Sequence, residues 1–131
     1  MDSKELRIDN FIRLKENGNI FDVQVVGTRC ESIDVYNNGI YTSYLKNIDY
    51  YLEPIPLTEE WLVKFGFKIV VKNAEKNGVL ICYNIKEKTY DFVLRDSFYN
   101  KKFTVSKLKH VHQLQNLYFA LTNEELTIKE W

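Results

Sequence analysis

Two cysteines, two prolines, one methionine and five glycines among 131 residues leave little material for several kinds of protein. Cys30 and Cys82 are far apart and form no CxxC pair, so they read as small buried apolar thiols rather than a disulfide framework or half a zinc site. No stretch approaches the run of about 18 apolar residues that a membrane-spanning helix needs. The N-terminal "MDSKELRIDN" lacks the apolar core of a secretory leader, so a cytoplasmic protein without membrane contact is expected. Lys+Arg and Asp+Glu balance at 18 each. That withholds the basic surplus with which nucleic-acid binders neutralise phosphates. There is no Gly-x-Ser-x-Gly elbow and no phosphate-cradling glycine loop, and the few glycines sit at turns. Paired acids such as Glu59-Glu60 and Glu124-Glu125 stand where helix ends and turns explain them. The expectation is a protein that is not an enzyme and carries no cofactor.

Aromatic residues, by contrast, are plentiful at 15%, with 9 Tyr and 8 Phe, which favours pleated structure. Three Asn-Gly dipeptides (17–18, 38–39 and 77–78) stand between β-type runs, and both residues tolerate the positive φ angles of a tight hairpin turn. They join "FIRL" to "IFDVQVVG", "ESIDVY" to "IYTSYL", and, through a longer loop, "FKIVVKN" to "GVLICYNI". "KEKT" leads on to "YDFVLRD", and "SFYNKK" to "FTVSKL". Successive hairpins make antiparallel meanders.

Two helices interrupt the strands. Pro54 and Pro56 close a strand, Thr58 caps a helix over about 58–65, and Glu59 and Glu60 face the positive end of its dipole. Leu57 and Leu62 occupy the staple positions, and Gly66 stands where a left-handed residue ends the helix. The second helix spans about 111–121. At about 100° per residue, Val111, Leu114, Leu117, Tyr118 and Leu121 share one arc of about 120°. His112, Gln115, Asn116 and Phe119 fall outside it and make a polar face. Its phenylalanine either packs under a neighbouring strand or the 58–65 helix, so that the helix is buried on two sides, or is exposed as the anchor of a small amphipathic patch. His110 and His112, two apart at a helix start, are expected to point different ways, so no metal site is predicted. Asn123 ends the helix, and "ELTIKEW" is expected to return as a short strand.

"ELRIDNFI", "EPIPLTEEWLVKFGF" and "VHQLQNLYFALTNEEL" together resemble a family of small uncharacterised proteins encoded by Bacteroidetes bacteria, their prophages and their phages. Asp9 and Asn123 stand where that family commonly has glycine. Both residue types tolerate positive φ, so the turns are expected to survive. The resemblance implies a phage or mobile-element setting, hence the host cytoplasm, and implies no activity.

The expected fold is α+β, mainly antiparallel meanders. Residues 1–53 form a small SH3-like β barrel module. Residues 54–131 form an α+β module in which the 111–121 helix packs on the later sheet, and the two together make one compact unit. Candidate binding residues are His112, Gln115, Asn116 and Phe119 on the helix. The tyrosine-rich segment adds Tyr41 and Tyr44, and the locally basic "KKFTVSKLKH" adds Lys107 and Lys109. The leading expectation is a protein-interaction module acting on a host or phage protein, or on itself as a homo-oligomer. A small nucleotide-like ligand held by the aromatics and lysines is the alternative. Single-stranded nucleic acid comes third, because lysines on an edge strand also serve to discourage aggregation.

Overall fold

The structure is a computed structural model that describes residues 6–16, 18–28, 32–37, 39–45, 52–96 and 101–128; for Glu16, Tyr44, Leu45, Arg95, Asp96 and 101–103 it describes the backbone alone. Expectations placed on Asn17, Cys30, Asn38, Tyr50, Tyr51 and Tyr99 lie outside the described residues. The chain divides into two compact units, one of residues 1–56 and 110–125, the other of residues 57–109 and 126–131. The fold is α+β, with two antiparallel sheets and two helices.

The first unit holds β1 (Phe11–Glu16), β2 (Asn19–Thr28), β3 (Ser32–Asn37), β4 (Ile40–Leu45) and β5 (Leu52–Glu53). Their order is β4-β3-β2-β1-β5, a meander whose last strand returns beside the first. Among the described residues no pairing joins β4 to β5. Alternation dictates which face is apolar. Ile12, Leu14, Val23, Val25, Ile33, Val35 and Leu52 are buried together with Leu6. A bulge between Val25 and Gly27 bends the long second strand.

The second unit begins with α1 (Glu59–Lys64), followed by β6 (Lys68–Val70), β7 (Asn73–Lys76), β8 (Val79–Asn84), β9 (Thr89–Asp96) and β10 (Lys101–Leu108), ordered β10-β9-β8-β7-β6. The signals around α1 act as expected. Thr58 caps it by accepting the Trp61 N–H at 3.4 Å, Leu57 and Leu62 are buried, and Gly66 takes φ 87°. Asn77 and Gly78 both have positive φ and form a two-residue turn between Lys76 and Val79, so the longer loop expected here is instead the strand β7 and a tight Asn-Gly turn. The run "FKIVVKN" is not one strand. Val70 pairs with Asn73, and Val71 turns the chain at φ 59° while 88% exposed. A β-branched residue carries no turn signal, so the sequence hides this hairpin. Residues 124–128 form no strand, contrary to expectation.

The remaining helix, α2 (Val111–Thr122), belongs to the first unit, which moves it out of the 54–131 module where the sequence placed it. Its buried stripe is Val111, His112, Leu114, Gln115 and Tyr118, while Leu121 is 44% exposed. The stripe is therefore rotated toward the supposedly wet face. Asn123 ends the helix at φ 59° and Asp9 sits at φ 76°, so both positions keep their left-handed turns.

Candidate functional site

The polar residues of α2 come together with the turn that precedes β1. Gln115, fully buried, accepts the Phe11 N–H at 2.8 Å and donates to the Asp9 carbonyl at 2.8 Å. Both ends of its amide are satisfied by backbone, as a buried amide requires. Asn116 accepts from Asn10 Nδ2 at 2.8 Å and from Arg7 Nε at 3.1 Å. Asn10 is itself fully buried and accepts the Arg7 N–H at 2.7 Å, tying the turn to itself. Arg7 then forks onto Glu125, with Nη1 bonded to Oε1 and Nη2 to Oε2 at 3.2 Å. Its guanidinium also lies 4.5 Å from the centre of the Phe119 ring. So "RIDN" and "QLQNLYF…EE", the two ends of the chain that carried the family resemblance, meet in one interlock.

This corrects the candidate patch on α2. His112 is 1% exposed and Gln115 is buried, so neither presents a surface, and Asn116 and Phe119 are half-buried against Arg7. Periodicity counts glutamine as wet because it cannot see a partner more than a hundred residues away. Arg7, Asn10 and Glu125 also take part, and no local pattern in the sequence signals them. The two histidines also depart from expectation. His110 stands outside the helix with extended backbone, so its ring stacks on that of His112 with centres 5.8 Å apart. Gln113 completes this helix start by accepting the His110 N–H at 3.1 Å. No group of three or more His, Cys, Asp or Glu able to hold a metal occurs among the described residues.

The basic strand is partly engaged. Lys107 is hydrogen-bonded to Glu87, and that bond holds its ammonium pKa above the ordinary value. Lys109 is exposed. Across the same sheet Tyr90 packs on Tyr83 with ring centres 5.1 Å apart. Its phenol pKa is raised by burial first, then by the Glu59 carboxylate and Tyr83. Beside α1 an open cavity of about 540 Å³ is lined by Val63, Lys64, Phe65, Lys76 and Ile128. Lys76 spends one donor there on the Phe65 carbonyl at 2.6 Å.

Exposed apolar surface gathers at one end of the first sheet. The β1–β2 and β3–β4 turns lie at the same end of the meander, and there Ile20 is 59%, Phe21 37%, Ile40 66% and Tyr41 70% exposed. Tyr41 also leans on Tyr36, with ring centres 5.0 Å apart. The backbone of Tyr44 continues β4, and its side chain lies outside the described residues. Of the nominated residues, Tyr41 is thus placed at this exposed end. No helix of the described residues is long and apolar enough to cross a membrane.

No protein-family model matches the chain, and neither a curated protein nor a solved structure is significantly similar to it.

Proposed function

We propose that this chain is a non-enzymatic protein-interaction module of phage or mobile-element origin, working in the host cytoplasm on a host or phage protein or on itself. The observation that carries the reading is the exposure of Ile20, Phe21, Ile40 and Tyr41 beside two turns at the same end of the first sheet. Large apolar and tyrosine side chains gathered at one end of a sheet are the composition of an interface centre. A second support is how the polar residues are used. The richest cluster of amides and charge, around Arg7 and Gln115, is spent on holding a helix to a turn. The test is native mass spectrometry of the chain purified from the cells that naturally express it, beside an Ile40→Asp, Tyr41→Asp variant. A stoichiometric protein partner or second copy, lost in the variant, supports the reading. A bare monomer, or association unchanged in the variant, overturns it.

A nucleotide-like ligand is the second reading, and the cavity beside Lys64 and Lys76 is what favours it. Its size suits a small molecule. Neither Tyr41 nor Lys107 lines it, so the stacking and phosphate contacts expected of them do not meet there. A mass increment of a few hundred daltons on the purified chain, without added protein, would replace the interaction reading with this one.

A further inference from the structure

Among the described residues the two sheets present four margins, and three of them carry devices that stop another strand from adding. β5 has only two residues and runs into Pro54. β6 has three residues and an exposed lysine, Lys68. β10 carries Lys101, Lys102 and Lys107 and is broken by a bulge between Thr104 and Ser106. Short length, proline, lysine and bulges are the recognised ways of blunting an edge. β4 has none of them. Its sequence is "IYTSYL", six residues without charge or proline, in unbroken register with β3 from Ser32↔Leu45 to Asn37↔Ile40. Ile40, Tyr41, Thr42 and Ser43 are all exposed.

Hairpin geometry tells which backbone groups of this edge point outward. Asn37 and Ile40 close a two-residue turn, so they form a hydrogen-bonded pair. Pairs alternate from there, and Thr42 and position 44 bond inward to β3 as Ile40 does. Tyr41, Ser43 and Leu45 therefore aim their N–H and C=O groups away from the sheet. Cross-strand contacts agree. The closer, non-hydrogen-bonded pairs are those whose side chains touch, as Tyr36 with Tyr41 and Asp34 with Ser43 do.

Resting on the interaction reading above, we infer that the partner is a second copy of this chain, joined edge to edge through antiparallel pairing of β4 with β4. A two-fold axis at Ser43 sets Ser43 opposite its counterpart and Tyr41 opposite Leu45 of the second copy. Every outward backbone group from Tyr41 to Leu45 is then used, in about six hydrogen bonds. Such an axis stands perpendicular to the sheet, so the apolar faces of the two copies run on as one. An uncharged strand meets itself with no like-charge pair across the seam, and a net charge of zero leaves no long-range repulsion between copies. Because the contact is isologous and the other margins are blunted, assembly stops at the dimer.

The test uses the full chain in sedimentation equilibrium over a concentration series, with residue-resolved amide hydrogen exchange at both ends of the series. Two variants, Ser43→Pro and Ser43→Lys, remove or burden an outward group and leave the β3–β4 backbone hydrogen bonds in place, giving up only the exposed bond from the Ser43 hydroxyl to Asp34. The expected result is a reversible monomer–dimer equilibrium. Exchange slows with concentration at Tyr41, Ser43 and Leu45, and stays constant at Ile40 and Thr42. Both variants should melt as the parent melts when dilute, with dimerisation weakened by roughly tenfold or more. A dimer that persists in a folded variant, or lacks the alternating exchange, overturns the edge assignment and leaves self-association intact. A chain that stays monomeric throughout overturns the inference outright, whereas a foreign protein partner found on the natively expressed chain would still uphold the interaction reading. The exchange pattern of the parent decides the matter even where a variant fails to fold.

Discussion

At the scale of single residues, Gln115 concentrates the logic of the first unit. One amide joins a helix to the backbone on both sides of Asn10, accepting from Phe11 and donating to Asp9. Gln24 reaches the same Asp9 carbonyl only at 3.4 Å. Leucine is close to glutamine in volume, so Gln115→Leu changes chemistry more than packing. It leaves the Phe11 N–H buried without its acceptor and strips the Asp9 carbonyl of its shorter bond. An orphaned buried group costs about 1–3 kcal/mol, so Gln115→Leu should lower stability by about 2–4 kcal/mol in urea titration. A midpoint equal to that of the parent would show that the amide is not what anchors α2. Asp9 belongs to the same account. Its φ of 76° is a conformation glycine takes freely and aspartate takes with help, here from a turn closed by Asn10, whose N–H bonds to the Arg7 carbonyl at 3.1 Å.

At the scale of elements, α2 separates what periodicity can and cannot supply. Leu114 is fully buried, Leu117 half-buried and Leu121 exposed, although all three share the apolar arc. Leu114→Ala should therefore cost about 2–5 kcal/mol, whereas Leu121→Ala should stay within about 0.5 kcal/mol of the parent. Equal losses at both positions, in thermal or urea denaturation, would restore the arc read from the sequence. Elements whose cause is local were legible. The Asn77-Gly78 turn, the Thr58 cap, the Gly66 stop and the strands beside them each follow from residues within a few positions. The Val71 turn was not, because nothing in "IVVKN" favours a positive φ. Nor was the use of His112 and Gln115, since their burial comes from a segment that follows no helical period. Of the candidate site, Tyr41 was legible as a surplus aromatic, because nine tyrosines exceed what a small core can bury with every hydroxyl bonded.

At the scale of the whole molecule, the division into units is discontinuous, and that carries a consequence. The first unit is made of residues 1–56 together with 110–125, so residues 1–53, expected as a β module, lack by themselves the helix of that unit. Without α2, the Phe11 N–H loses Gln115 and Asn10 Nδ2 loses Asn116, and the fully buried Ile55 loses the Val111 N–H from its carbonyl. Five strands with one open apolar face and several orphaned polar groups have little margin, since a domain this small is stabilised by only a few kcal/mol. Residues 1–56 alone should show no cooperative thermal transition by circular dichroism. The repair is short. Pro56 and His110 form an antiparallel bridge, so their Cα atoms lie about 4.5–5.5 Å apart, within reach of a tight glycine-containing turn. A chain that runs from residue 1 to Pro56, through such a turn, and on from His110 to Glu125 should regain a cooperative transition and native-like near-ultraviolet signals from its tyrosines. If residues 1–56 melt cooperatively by themselves, at the temperature of the fused chain, then α2 is an accessory to that sheet rather than part of its core. The boundary would then return to the neighbourhood of residue 53.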